Sequence, residues 1–175
     1  MLRVEERTGY EYRSATAFHR WLEERFGQQR LIDDDDLFAA DNEGEQDEHL
    51  IELRARFEAG EWGGRWPREV EVPFDTRIGD RHIRGRIDAI FADPDGGYDV
   101  VDWKTGRPPR GRAEQDAVAV QLAAYRLAWS ALAGVPLDKV RAAFYYVRHD
   151  RTVRPADLLD ADGLKDLINS VPEAG

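Results

Sequence analysis

The sequence predicts an α/β fold in which a small mixed β-sheet is flanked by helices. Two runs of strand-forming residues, 87–92 and 98–103, flank a turn cluster at residues 93–97 and together predict a β-hairpin. Apolar residues at helical spacing recur on both sides of that hairpin. With 175 residues, of which 42% are hydrophobic, the chain suits one domain, residues 1–175, with a single core.

Two helices are predicted before the first strand. In residues 14–26 the apolar side chains share one stripe, with Ser14 as the expected N-cap. In residues 48–58 a second stripe predicts a helix that Gly60 ends. The segment between them, about residues 33–48, is strongly acidic and is expected to form a solvated loop.

The segment after the second helix contains an aromatic linker and the first strand. Trp62 and Trp66 in the linker either cover the edge of the core or stack on DNA bases. Residues 69–74 alternate apolar and polar side chains, which predicts a strand that carries Glu71 on its outward face. A glycine-aspartate turn at residues 79–80 then leads into the first strand of the hairpin.

Helical and extended segments also alternate beyond the hairpin. The expected elements are a loop over residues 105–112, a helix over 113–133, strands over 140–147 and 151–154, and a closing helix over 158–170. The core stripe of the first of these helices is expected to comprise Leu122, Tyr125, Trp129 and Leu132. Gln121 and Tyr125 lie one helical turn apart, so both can face the same site.

The hairpin carries the residues with the most specific chemistry. Asp102 and Lys104 are two positions apart and must point to the same face of a strand, while Asp88 lies on the partner strand. Two carboxylates supply the hard oxygen ligands that Mg²⁺ or Mn²⁺ prefers, and a lysine can orient a water or offset charge on a phosphate. The alternative is an ordinary ion pair on a solvated face, but the V-V-D-W run places Asp102 within an apolar strand.

These motifs resemble those of the PD-(D/E)XK nucleases, specifically the RecB-type branch. The matching pieces are G-R-I-D at residues 85–88, V-D-W-K-T-G at 101–106, Q-L-A-A-Y at 121–125 and A-T-A-F-H-R-W-L-E at 15–23. The resemblance spans roughly residues 16–159, with the four pieces in the family's order. It implies a restriction-endonuclease-like core. One departure is Ala15, where the family commonly has glycine.

The resemblance also implies roles for individual residues. Asp88 and Asp102 would bind Mg²⁺ or Mn²⁺, with His19 as a further metal ligand and His49 as a less favoured alternative. Lys104 would act on the attacking water or the scissile phosphate. Gln121 and Tyr125 would organise the site. Glu71 matches a glutamate that the family often has before its P-F pair and is a possible additional site residue.

The charge distribution favours a nucleic-acid partner only around the hairpin, because the rest of the chain is acidic. The chain has a net charge of −10, yet residues 77–112 hold eight basic and six acidic side chains. Basic side chains near a metal site can contact DNA phosphates. The candidate DNA-binding residues are Arg84, Arg86, Arg107, Arg110 and Arg112.

The sequence also excludes several classes of site. The chain has no cysteine, which excludes disulfides and the four-cysteine iron-sulfur cluster that some RecB-type relatives carry. No apolar run approaches the ~20 residues of a membrane span, and the first residues lack signal-peptide character, so a soluble, cytoplasmic protein is expected. No G-x-x-x-x-G-K-[ST] motif occurs, so the chain has no predicted ATPase site of its own.

The sequence thus predicts a divalent-metal-dependent DNA nuclease. By resemblance it would act as an exonuclease in DNA end processing, recombination or repair, with or as part of a helicase, because RecB-type domains often lie at the end of UvrD-related helicases. The alternative is a catalytically inactive nuclease-fold module that binds DNA or scaffolds a helicase complex. The presence of Asp88, Asp102 and Lys104 together favours the enzyme.

Overall fold

The computed structural model describes residues 2–31, 48–155 and 159–170. Contacts divide the chain into two compact units, Met1–Arg65 and Trp66–Gly175. Most of the predicted acidic loop, residues 33–47, lies outside the described residues, and Glu48 begins a helix.

The first unit contains two helices, α1 (Leu2–Leu31) and α2 (Glu48–Ala59). Their apolar stripes meet around Phe57, whose ring lies 6.1 Å from that of Phe18 and 6.2 Å from that of Phe26. Trp62 is fully buried after α2, so it belongs to the core of this unit and offers no face for base stacking.

The predicted start of the first helix was wrong. The helix begins near Leu2, and Ser14 is a buried interior residue of α1 instead of its N-cap. The preceding segment is rich in glutamate and arginine, which favour the helical conformation and extend α1 towards its N-terminus.

The second unit is built on a five-stranded mixed sheet in the order β1-β2-β3-β4-β5. The strands are β1 (Glu69–Ile78), β2 (Arg81–Ala92), β3 (Tyr98–Lys104), β4 (Val140–Tyr146) and β5 (Arg151–Val153). Neighbouring strands are antiparallel except for the parallel pair β3 and β4. A parallel pair needs a long crossover, which α3 (Gly111–Ala133) provides, and α4 (Ala161–Asn169) follows β5. The predicted mixed sheet with flanking helices is confirmed.

The turn between β2 and β3 fixes the register of the predicted hairpin. The Asp93 N–H donates to the Gly97 carbonyl at 2.8 Å, and the Gly97 N–H donates to the Asp95 side chain at 2.9 Å. Gly96 has a φ of 84°, a conformation that glycine adopts without a steric penalty. This turn determines which residues of β2 and β3 lie opposite each other at the far end of the hairpin.

Helix α3 packs its apolar face on the sheet. Leu122, Tyr125 and Trp129 are buried in one cluster with residues of β1 to β4, as the sequence predicted. Leu132 was expected on the same stripe but is 54% exposed. The buried face of α3 ends at Trp129, one turn before the helix itself ends, so Leu132 has no core to contact.

A buried arginine joins α3 to the elements that follow it. Arg126 donates to the carbonyl oxygens of Val140, Leu159 and Leu137 at 2.7, 2.8 and 3.1 Å. Asp160, the N-cap of α4, accepts from the Gly163 N–H at 2.8 Å, so α4 starts later than the predicted residue 158, which lies outside the described residues. Among the helices in the described ranges, none has the length and apolar character needed to cross a membrane.

Candidate active site

Asp88 and Asp102 lie opposite each other at the open end of the hairpin. The pairing of β2 with β3 runs from Ala92↔Tyr98 to Ala89↔Val101 and ends one residue before Asp88 and Asp102, which are the next residues of that register. The Trp103 N–H donates to Asp88 Oδ2 at 2.8 Å, so the carboxylate lies against the end of β3. Asp102 is near enough to raise the pKa of Asp88, so the two carboxylates lie in one site.

Two other side chains contact Asp102, which is 6% exposed, and a third contacts one of these two. Lys104 Nζ lies 2.7 Å from Asp102 Oδ2, and the Tyr125 hydroxyl donates to Asp102 Oδ1 at 3.0 Å. Gln121 Nε2 in turn donates to the Tyr125 hydroxyl at 2.9 Å. The structure thus brings together the five residues expected to carry the chemistry, although their catalytic roles remain predictions.

Lys104 is held at the mouth of the site. Its side chain is 34% exposed, and its ammonium lies 4.4 Å from the centroid of the Phe144 ring as well as beside Asp102. Arg148 Nε donates to the carbonyl of Thr105 at 3.0 Å and so fixes the backbone that leaves Lys104. The ammonium therefore has defined neighbours and remains accessible to a substrate.

Glu71 occupies an irregular point in β1. The pairing of β1 with β2 includes Val70↔Ala89 and Val72↔Ile87 but omits Glu71 and Asp88 between them. Glu71 has a φ of 50°, a strained conformation for a residue other than glycine and one that occurs at functional sites. The sequence had suggested an ordinary outward-facing position, but Glu71 lies close enough to Asp88 to influence its ionisation.

The electrostatics of Asp88 fit a divalent cation. Burial, followed by the negative charges of Asp102 and Glu71, raises the pKa of Asp88 to about 8, although the Trp103 N–H and Lys104 act in the opposite direction. Two adjacent carboxylates that resist ionising together form a donor set that a cation would stabilise. Within the described residues no group of three or more histidine or acidic side chains is arranged to hold a metal ion. Asp88 and Asp102 are the carboxylates that could hold Mg²⁺ or Mn²⁺ here, with waters as the remaining ligands.

Tyr125 acts as a donor in this network. Burial and the neighbouring Asp102 raise the pKa of Tyr125 well above its usual range, so the hydroxyl keeps its proton. The hydroxyl donates this proton to Asp102 Oδ1, and the other carboxylate oxygen, Oδ2, lies beside the Lys104 ammonium. Tyr125 thereby orients the carboxylate.

Replacing Tyr125 with phenylalanine should lower the cleavage rate about tenfold and destabilise the fold by only about 1 kcal/mol, because one buried hydrogen bond is lost. Steady-state cleavage and urea unfolding measure the two effects. Gln121→Ala is the matched comparison: it removes the donor to the Tyr125 hydroxyl but leaves the hydrogen bond from that hydroxyl to Asp102, so it should lower the rate less than Tyr125→Phe does. An equal or larger loss in Gln121→Ala would contradict the orienting role of Tyr125.

The candidate DNA-binding arginines differ in their contacts. Arg84 and Arg110 are exposed, and Arg112 lies 3.9 Å from Asp116 on the exposed start of α3. Arg86 Nη1 donates to Glu71 Oε2 at 3.2 Å. None of these contacts tests a role in DNA binding, which remains a prediction.

Glu114, which the sequence analysis did not single out, organises the loop before α3. Its two carboxylate oxygens each accept from Arg107 at 2.8 Å, and Oε2 also accepts from the Arg110 N–H at 2.7 Å. These hydrogen bonds, led by that of Arg107, lower the pKa of Glu114 to about 2. A glutamate in the first turn of a predicted helix was the available signal.

The two candidate histidine ligands lie in the first unit. His19 is half-buried on α1, with its ring edge-on to that of Phe18 at 6.2 Å. His49 is exposed at the start of α2. The role of His19 as a metal ligand remains a prediction.

Comparison with known proteins places the chain in a family. No curated protein matches it. A solved structure described as the crystal structure of SSO0001 is similar at 24% sequence identity, with 58% of this chain and 47% of that chain covered and a TM-score of 0.33. The matched region is thus about half the length of that protein. The family model of the PD-(D/E)XK nuclease superfamily matches residues 2–173, and the chain belongs to that superfamily.

Proposed function

We propose that this protein is a divalent-metal-dependent DNA nuclease that hydrolyses phosphodiester bonds. The proposal rests on one observation, which is that Asp88, Asp102 and Lys104 lie together at one end of the hairpin. Lys104 Nζ lies 2.7 Å from Asp102 Oδ2, and the Trp103 N–H donates a hydrogen bond to Asp88. Membership of the PD-(D/E)XK nuclease superfamily supports the same chemistry.

The residues divide the work of hydrolysis between them. Asp88 and Asp102 hold the cation, which when bound supplies Lewis-acid polarisation of the scissile phosphate and a more acidic water. The Lys104 ammonium orients the attacking water and stabilises the negative charge that builds on the phosphate. Tyr125 fixes the orientation of the Asp102 carboxylate, and Gln121 fixes the Tyr125 hydroxyl.

We further propose that the chain belongs to the RecB-type branch of the superfamily. Its support is the order of the four sequence motifs, which include Q-L-A-A-Y at residues 121–125. On this basis the enzyme acts as an exonuclease in DNA end processing, recombination or repair, and a helicase domain or subunit delivers its DNA. The Gln121–Tyr125 hydrogen bond gives the motif a physical role.

Metal-dependent degradation of end-labelled DNA tests the proposal. Linear single-stranded, linear duplex and circular DNA are incubated with Mg²⁺, with Mn²⁺ and with a chelator. We expect degradation of linear DNA that requires the metal, and resistance of covalently closed circles. Cleavage of closed circles would exclude an exonuclease, and a protein inert with both metals, alone and with a helicase, would support the inactive-module alternative.

A further inference from the structure

A row of three polar side chains crosses the sheet directly beside the carboxylates. Lys104 of β3 pairs with Tyr146 of β4, and Tyr146 pairs with Arg151 of β5. Directly paired residues project to the same face, so the row lies on the face that carries Asp102, two residues before Lys104 on β3. With strands about 4.8 Å apart, the row extends roughly 10 Å from Lys104 to Arg151.

Tyr146 is 5% exposed and occupies the middle of this row, where its hydroxyl can donate a hydrogen bond. Its ring packs edge-on against Phe144 at 6.4 Å, which fixes its direction. Burial and the charge of Asp102 raise the pKa of Tyr146, so the hydroxyl stays protonated. Glu114 and Arg151 also lie within electrostatic reach of it. In the register of the sheet, Tyr146 therefore lies between Lys104 and Arg151.

Arg151 differs from the arginines that already contact a carboxylate. Arg86 donates to Glu71, and Arg107 forms a two-fold contact with Glu114. Arg151 is exposed and forms no ion pair within the part of the chain that the structure describes. An exposed guanidinium at this distance from the carboxylates can bind a phosphate without first breaking an ion pair to any of the described residues.

We propose that Tyr146 and Arg151 form a second phosphate subsite, which holds the DNA backbone phosphate adjacent to the scissile one. The inference rests on the proposed nuclease function. The scissile phosphate lies at Asp88, Asp102 and Lys104, and the strand continues over the sheet towards β5. The contacts are to the backbone, so they position any sequence equally.

The test uses Arg151→Ala, Arg151→Lys and Tyr146→Phe, with the exposed Lys165→Ala on α4 as the charge-matched control. On the linear DNA that the wild type cleaves, Arg151→Ala should raise KM about tenfold with kcat little changed. The slope of log affinity against log salt should fall by about one in Arg151→Ala and stay unchanged in Arg151→Lys. Tyr146→Phe should raise KM about fivefold without changing the slope.

Substrates with one neutral methylphosphonate linkage locate the contact. The neutral linkage is placed next to the scissile phosphate, on each side in turn. On one side the wild type should lose about the same affinity as Arg151→Ala loses on ordinary DNA, and Arg151→Ala should lose nothing further. Additive losses on both sides, or an Arg151→Ala protein that behaves like Lys165→Ala, would overturn the subsite.

Binding and cleavage are measured in parallel, so failure of the subsite and failure of the nuclease function are distinguishable. A wild type that cleaves DNA while Arg151→Ala has normal KM and salt slope overturns the subsite alone. A wild type that binds DNA without cleaving it overturns the nuclease function, and the salt slopes still decide the subsite. A wild type that neither binds nor cleaves overturns both.

Discussion

Replacing Lys104 with alanine should lower DNA cleavage by at least about 10²-fold while leaving Mn²⁺ binding intact. The ammonium lies beside Asp102 and is accessible, so it can act on the water or on the charge of the phosphate without being a ligand. Asp88→Ala and Asp102→Ala should instead lose both cleavage and Mn²⁺ affinity, since they remove the oxygen ligands. Comparing the three variants therefore distinguishes residues that bind the cation from a residue that acts on the water or the phosphate.

Calorimetric Mn²⁺ titration beside a single-turnover cleavage assay measures these effects. Lys139→Ala is the control, because Lys139 is an exposed lysine in the turn before β4. Thermal unfolding verifies that each variant is folded. A Lys104→Ala protein that cleaves DNA at nearly the wild-type rate would remove Lys104 from the mechanism and favour a DNA-binding module.

Local sequence patterns were sufficient to predict the hairpin and the polar cluster of its second strand. The turn at residues 93–97 dictates the register, which brings β2 and β3 together up to Ala89↔Val101, one residue before Asp88 and Asp102. The two-residue spacing of Asp102 and Lys104 placed both on one face, where they form an ion pair. The hairpin register and the shared face of Asp102 and Lys104 depend only on residues close together in the sequence, so local patterns are enough to predict them.

Features that depend on long-range pairing or on context could not be predicted. The strained φ of Glu71 appears only when β1 is aligned against β2. The row from Lys104 to Arg151 requires the register of β3, β4 and β5, and a long helix separates β3 from β4 in the sequence. Ser14 has the composition of an N-cap, but the helix continues through it because the preceding residues also favour helix. Leu132 has the right periodicity but lies beyond the end of the buried face.

The ionisation of Asp88 should make the free energy of unfolding depend strongly on pH. The pKa of Asp88 is 3.8 in the unfolded chain and about 8 in the folded protein, so between these values the folded state binds one more proton. Stability from this group is therefore complete below pH 4 and is lost as the pH rises towards 8. Asp88→Asn keeps an acceptor for the Trp103 N–H but cannot ionise, so it should be about 2 to 4 kcal/mol more stable than the wild type above pH 8 and nearly equal to it at pH 4.

Urea unfolding of both proteins from pH 4 to pH 9 in the presence of a chelator measures this difference. Asp80→Asn, which changes an exposed carboxylate in the turn between β1 and β2, is the control and should follow the wild type. Mg²⁺ added at pH 8 should stabilise the wild type, because the cation binds the ionised pair, and should have little effect on Asp88→Asn. If Asp88→Asn were no more stable than the wild type at pH 8, Asp88 would ionise without penalty, and the electrostatic argument that this pair requires a cation would fail.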